Sequence, residues 1–129
     1  MSEQPLILIV DDEASFREIF SMKLKSAGYR IDTAANGAEG IEKAKAIKPD
    51  LVLMDVNMPV MDGATAVLKL RDDPETKDQK VAFLTSLGDP RREMEDIHVQ
   101  FSESFGAQGY LKKTDDLDSL VEKIKGFLV

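Results

Sequence analysis

The chain contains no cysteine, which removes disulfides, thiolate metal sites and thiol catalysis together. It has a single histidine, His98, and with no second ligand type beside it this residue reads as a surface position rather than part of a site. No stretch approaches the roughly 18 consecutive apolar residues of a membrane helix. The opening MSEQP lacks the basic-then-apolar pattern of a secretory signal, so a cytoplasmic location is expected. Positive charge is also short: 17 Lys and Arg against 24 Asp and Glu give a formal net charge of −7. That balance opposes direct binding to nucleic acid or to an anionic membrane, because both depend on neutralising phosphates. What remains is a 129-residue chain, 43% hydrophobic, of the size of one ordinary domain with a real core.

Along that chain, apolar runs of strand length alternate with stretches of helical period. PLILIVDD (5–12) precedes FREIFSMKLKSAG, in which Phe16, Ile19, Phe20, Leu24 and Ala27 predict one buried helical face. Ser15 and Glu18 offer a capping box, and Gly28 a stop. YRIDTAA (29–35) alternates with period two, and Asn36-Gly37 turns the chain into a second helix ended by Pro49. LVLMD (51–55) is a third strand, ATAVLKLR (64–71) a short third helix, and DDPETKDQK (72–80) reads as a charged, solvated loop. VAFLTS (81–86) is a fourth strand, after which Asp89-Pro90 and the spacing of Met94, Ile97, Phe101 and Phe105 predict an amphipathic helix. AQGYLKK (107–113) and DLDSLVEKIKGFL (116–128) supply a fifth strand and a last helix. Five strands alternating with five helices imply one doubly wound α/β domain over residues 1–129, its parallel sheet covered on both faces.

In such sheets ligands sit beyond the carboxyl ends of the strands. The strands end in Asp11-Asp12, Asp55, Thr85-Ser86 and Lys112-Lys113, while only the second ends blandly, in Ala34-Ala35, and so belongs at an edge. Taken singly, each position has an ordinary reading. Asp11 and Asp12 favour a helix N-terminus, Asp55 and Asn57 favour a turn, Thr85 is a common strand residue, and Tyr110 is an ordinary half-buried aromatic. Met54, Met58 and Met61 read as loop and core packing, and Lys112 as a solvated strand end. Polar residues at four strand ends of five are harder to explain that way. Three carboxylates gathered there repel by roughly 4 kcal/mol per pair at about 4 Å and an effective dielectric near 20. One lysine is too little to balance them, and a divalent cation with oxygen ligands fits a site without histidine or cysteine: Mg²⁺, with Mn²⁺ as the alternative. A metal-neutralised carboxylate beside a hydroxyl and an ammonium has the parts for phosphoryl transfer, with Asp55 as nucleophile.

VDDE, LVLMDVNMPVMDG, FLTS and GAQGYLKK, in that order, resemble the receiver domains of bacterial two-component response regulators over about residues 6–128. The resemblance implies a flavodoxin-like fold with strand order 2-1-3-4-5, in which Asp11 and Asp12 hold Mg²⁺ and Asp55 accepts phosphate from a histidine kinase or phosphotransfer protein. It further implies that Asn57 offers its backbone carbonyl to the metal, that Thr85 is a switch hydroxyl, and that Tyr110 is the aromatic whose rotamer follows it. Counting three residues on from that aromatic selects Lys113 as the active-site lysine, on the same side of the strand as Leu111. Output or dimerisation is expected on the face built by the fourth helix, fifth strand and fifth helix.

Two places depart from the family pattern. Thr114 stands where a proline usually follows the lysine, and the segment from Thr85 to Gly106 runs several residues longer than usual. Two other functions are weighed against the switch. A Mg²⁺-dependent phosphohydrolase would commonly carry a second acid two residues beyond Asp55, where this chain has Asn57, so an enzyme is not expected. A pseudo-receiver that binds partners without phosphorylation would be expected to lose acidic or lysine positions, and none is missing. The chain ends inside its last helix, which fits a stand-alone regulator or an excised module equally.

Overall fold

A computed structural model describes residues 4–56, 61, 63–85 and 106–129. The described elements run β1 (Leu6–Val10), α1 (Ala14–Ser26), β2 (Arg30–Ala34), α2 (Gly37–Ile47), β3 (Leu51–Asp55), α3 (Gly63–Arg71), β4 (Val81–Thr85), β5 (Gly109–Lys112) and α4 (Leu117–Leu128). The helix expected after Asp89-Pro90 falls outside the described residues, as do Asn57, Met58 and His98. The strands form one parallel sheet in the order β2-β1-β3-β4-β5, with β2 at an edge as its bland ending predicts.

β3 and β4 are buried along their whole length, so their side chains fill two cores rather than one. Ile7, Ile9, Leu51, Leu53, Ala82, Leu84 and Leu111 pack on one face beneath Phe20 and Leu24 of α1 and Leu120 and Ile124 of α4. Leu8, Val10, Val52, Met54, Val81 and Phe83 pack on the other face against Ala44 of α2 and Ala66, Val67 and Leu70 of α3. The period of two along each strand therefore also decides the side on which a residue just beyond a strand's last core position projects.

The helix ends explain the local boundaries. The Asn36 side chain caps α2 by accepting from the Glu39 amide at 2.9 Å, and Asp116 caps α4 by accepting from the Ser119 amide at 2.9 Å. Asp116 thus starts the last helix without the family's proline, and no peptide bond among the described residues is cis. Gly28, at φ 100°, closes α1: the Gly28 amide donates to the Lys25 carbonyl and the Tyr29 amide to that of Leu24.

Three expectations need correction. The Ser15/Glu18 capping box does not form, because α1 begins earlier, at Ala14. There the Asp11 carboxylate accepts from the Glu13 amide at 2.8 Å and turns the chain into the helix. Ile19 and Ala27 do not belong to the buried face of α1. The buried arc runs through Phe20, Leu24 and Ser21, which leaves Ile19 55% exposed on the far side, and Ala27 lies past the end of the helix. Finally, the 72–80 segment is not simply solvated. Thr76 is buried and donates to the Leu70 carbonyl at 2.7 Å, Arg71 donates to the carbonyls of Lys77 and Gln79, and Gln79 donates to that of Pro49.

Candidate functional site

Asp11 is the first residue past β1, Asp55 ends β3, Thr85 ends β4, and Lys113 follows β5. All four therefore meet at one mouth of the sheet. Hydrogen bonds that prolong the strand pairing hold them there: the Asp11 amide donates to Ala34 at 3.1 Å and the Lys113 amide to the Thr85 carbonyl at 2.8 Å. Strand alternation then sorts the side chains. Asp11, Asp55 and Lys113 continue the rows of Ile7 and Ile9, Leu51 and Leu53, and Leu111, so they share the face covered by α1 and α4. Thr85 continues the row of Val81 and Phe83 on the opposite face, where half-buried Tyr110 packs on the second core. The two residues expected to switch thus share a face with each other and not with the acids.

Asp11 is fully buried, Asp55 is 2% exposed and Thr85 is 3% exposed, whereas Asp12 projects into solvent. One carboxylate oxygen from each of Asp11, Asp12 and Asp55 lies within 4.8 Å of the others. Lys113 enters this group with its side chain only 7% exposed. Its Nζ stands 2.6 Å from Asp11 Oδ2 and donates to Asp55 Oδ2 at 3.2 Å and to Glu13 Oε1 at 2.8 Å. The Phe16 ring lies under the same ammonium, 4.8 Å away. Burial by itself pushes the Lys113 ammonium towards deprotonation. The carboxylates of Asp11 and Glu13, with the charge of Asp55, outweigh that and hold its pKa above the usual lysine range.

The contact with Asp11 is a charge contact rather than an aligned hydrogen bond. Asp11 Oδ2 is buried and has no aligned donor. Three converging carboxylates, two of them buried, share a single buried ammonium, and that shortage of positive charge among oxygen ligands is what a hard cation meets, so the residues present fit Mg²⁺.

Several neighbours of the site were not expected from sequence. Glu13 belongs to the quoted VDDE, yet nothing local signals that it reaches a lysine 100 positions away. Arg17 donates to the Asp11 carbonyl at 2.6 Å and fixes the turn after β1. Gly63 opens α3 against the backbone of the phosphoacceptor candidate: a Cβ there would lie 2.3 Å from the Asp55 carbonyl oxygen, and the Gly63 amide donates to Val56 at 3.0 Å. The Asp-Gly of VMDG carried the signal for a turn but not for this close approach. A groove of about 540 Å³ between α1 and β2, lined by Arg17, Ser21 and Asp32 among others, does not include Asp11, Asp12 or Asp55.

The family model of the response regulator receiver domain matches residues 7–125. The chemotaxis protein CheY of Treponema pallidum is 37% identical, across 95% of this chain and 81% of that protein. The DNA-binding dual master transcriptional regulator RpaA of Synechocystis is 35% identical across 96% of this chain, which spans only 49% of it. The solved structure of the chemotaxis response regulator CheY4 of Vibrio cholerae superposes with a TM-score of 0.83 at 34% identity, covering 97% of this chain and 99% of that one. With the strand order, the acidic cluster and the paired lysine already in place, these matches identify the chain as a member of the response regulator receiver domain family.

Proposed function

We propose that residues 1–129 form a single receiver domain in which Asp55 accepts a phosphoryl group from a histidine kinase or a phosphotransfer protein. The observation that carries this reading is the Lys113 ammonium drawn into the sheet mouth between the buried carboxylates of Asp11 and Asp55. Asp11, Asp12, Asp55 and the backbone carbonyl of Asn57 would hold Mg²⁺, which when bound neutralises charge on the phosphoryl oxygens. The chain's own residues do the rest. β3, buried on both sides, presents Asp55 as a fixed nucleophile, and Lys113 offers N–H donors to a phosphoryl oxygen. The Thr85 hydroxyl takes another oxygen, and Tyr110, on the same side of the sheet, follows Thr85. A phosphoryl group changes conformation only through its unequal interaction with the two states, and a nearly complete swing takes about 5.5 kcal/mol.

We read this as a stoichiometric switch and not as a phosphohydrolase. Its output is a protein partner or a further domain, engaged through the segment after Thr85 together with β5 and α4. The acidic balance argues against direct contact with DNA by this chain, and a cytoplasmic setting suits its partners. No helix among the described residues is long and apolar enough to cross a membrane.

The test is incubation with acetyl phosphate and Mg²⁺ followed by intact mass. A phosphoryl-sized gain that disappears in Asp55→Asn is expected. No gain in the wild type would make a phosphorylation-independent interaction module the better reading. Sustained turnover of small phosphate esters, lost in Asp55→Asn, would instead make the protein an enzyme.

A further inference from the structure

Lys113 has three carboxylate neighbours, and they are not equivalent. Asp11 and Asp55 are buried, so neither can leave the ammonium without stranding a charge. The Glu13 side chain is 55% exposed and sits at the rim, where a parting carboxylate is immediately rehydrated. Glu13 is also the N-terminal cap position of α1, yet its side chain makes no capping bond. Its amide is bound by Asp11 and its carbonyl by Arg17, so the helix start does not depend on the Glu13 carboxylate. The contact with Lys113 at 2.8 Å is thus an ion pair with no visible structural duty, and it occupies a donor of the lysine that a phosphoryl group on Asp55 would need.

We propose that Glu13 competes with the phosphoryl group for Lys113, holding the ammonium in the unphosphorylated protein and releasing it when Asp55 is phosphorylated. This rests on Asp55 being the acceptor. In the reaction a carboxylate oxygen of Asp55 attacks the donor phosphorus and forms the new P–O bond. The bridging P–O bond of acetyl phosphate breaks, and acetate leaves with that electron pair, so no proton is required from the protein. Lys113 then trades the Glu13 carboxylate for a phosphoryl oxygen while keeping Asp11. Glu13 is a positioning residue: it acts on the reaction through the lysine.

The experiment compares wild type, Glu13→Ala and Glu13→Asp for the rate of phosphorylation by subsaturating acetyl phosphate with Mg²⁺, followed by intact mass. Aspartate keeps the charge but is one methylene too short to hydrogen-bond Lys113 from the same backbone position. Competition predicts that both variants gain rate, by about two- to five-fold, the range of one rim ion pair. A purely electrostatic effect on an anionic donor would leave Glu13→Asp at the wild-type rate and overturn the proposal, as would a fall in rate for both variants.

Side-chain NMR of the Lys113 ammonium supplies the second readout. Glu13→Ala should shift its resonance before phosphorylation, and the difference from wild type should vanish once Asp55 is phosphorylated. A difference that persists unchanged would sink the exchange. If wild-type protein takes no phosphoryl group at all, the acceptor reading itself falls. If wild type is phosphorylated on Asp55 and all three proteins behave alike, only the role of Glu13 does.

Discussion

Lys113 balances more negative charge than it carries, and its removal should be felt in both stability and pH response. Lys113→Ala leaves Asp11 and Asp55 buried without their cation, a loss expected to cost about 3–5 kcal/mol in metal-free protein. Denaturant unfolding in the presence of a chelator checks the figure, and Mg²⁺ should recover part of it. The pH dependence has a definite sign. The folded pKa of Lys113 lies above its unfolded value, so its stabilisation is complete below the unfolded lysine value of about 10.4 and is lost as pH rises through the higher folded one. Wild type should therefore lose stability on the alkaline side more steeply than Lys113→Ala, as read from urea midpoints between neutral pH and strongly alkaline pH. Lys113 was singled out in sequence by its place three residues after Tyr110 in the family pattern, and strand period agrees by setting it on the opposite side from Lys112. Glu13 and Phe16 were not, since their meeting with Lys113 is a tertiary contact with no local pattern.

At the level of elements, the junction between β3 and α3 and the free edge of β2 carry separate expectations. Gly63→Ala would drive a Cβ into the Asp55 carbonyl, and either α3 or the end of β3 must move. A loss of about 1–3 kcal/mol is expected, and phosphorylation of Asp55 should slow with it because the nucleophile shifts with its backbone. Urea unfolding and acetyl phosphate labelling of the same sample measure the two effects. On β2, the outward Thr33 carbonyl accepts from Lys43 Nζ at 2.5 Å, and the Thr33 and Ala35 amides donate to the side chains of Asp32 and Glu39. These side chains occupy backbone groups that could otherwise pair with another strand. Lys43→Ala should make the protein more prone to self-association, seen as a concentration-dependent rise in mass by sedimentation. Apolar strand runs made the elements readable, since buried parallel strands have little freedom in composition. The buried face of α1 was misjudged because Ser21, a polar residue, takes the buried place that Ile19 was expected to hold.

For the molecule as a whole, the acidic mouth is a site whose charge opposes folding until it is neutralised. Asp55→Asn removes one of the carboxylates converging with Asp11 and Asp12, and it should raise metal-free stability by about 1 kcal/mol. The same variant should gain less than wild type when Mg²⁺ is added, because a ligand that binds only the folded state stabilises in proportion to its affinity. Thermal unfolding of both proteins with chelator and with saturating Mg²⁺ provides the comparison. The edge position of β2 was readable from one contrast, its bland end against the polar ends of the other four strands, while the full order came from the family resemblance; the sheet bears out both. The pairing of Lys113 with Asp55 spans 58 positions, and that with Glu13 spans 100. During synthesis, then, the acids emerge from the ribosome long before their counter-charge. A nascent or truncated chain that stops short of residue 113 carries the carboxylates without the ammonium, so the mouth cannot gain this counter-charge until synthesis has passed β5.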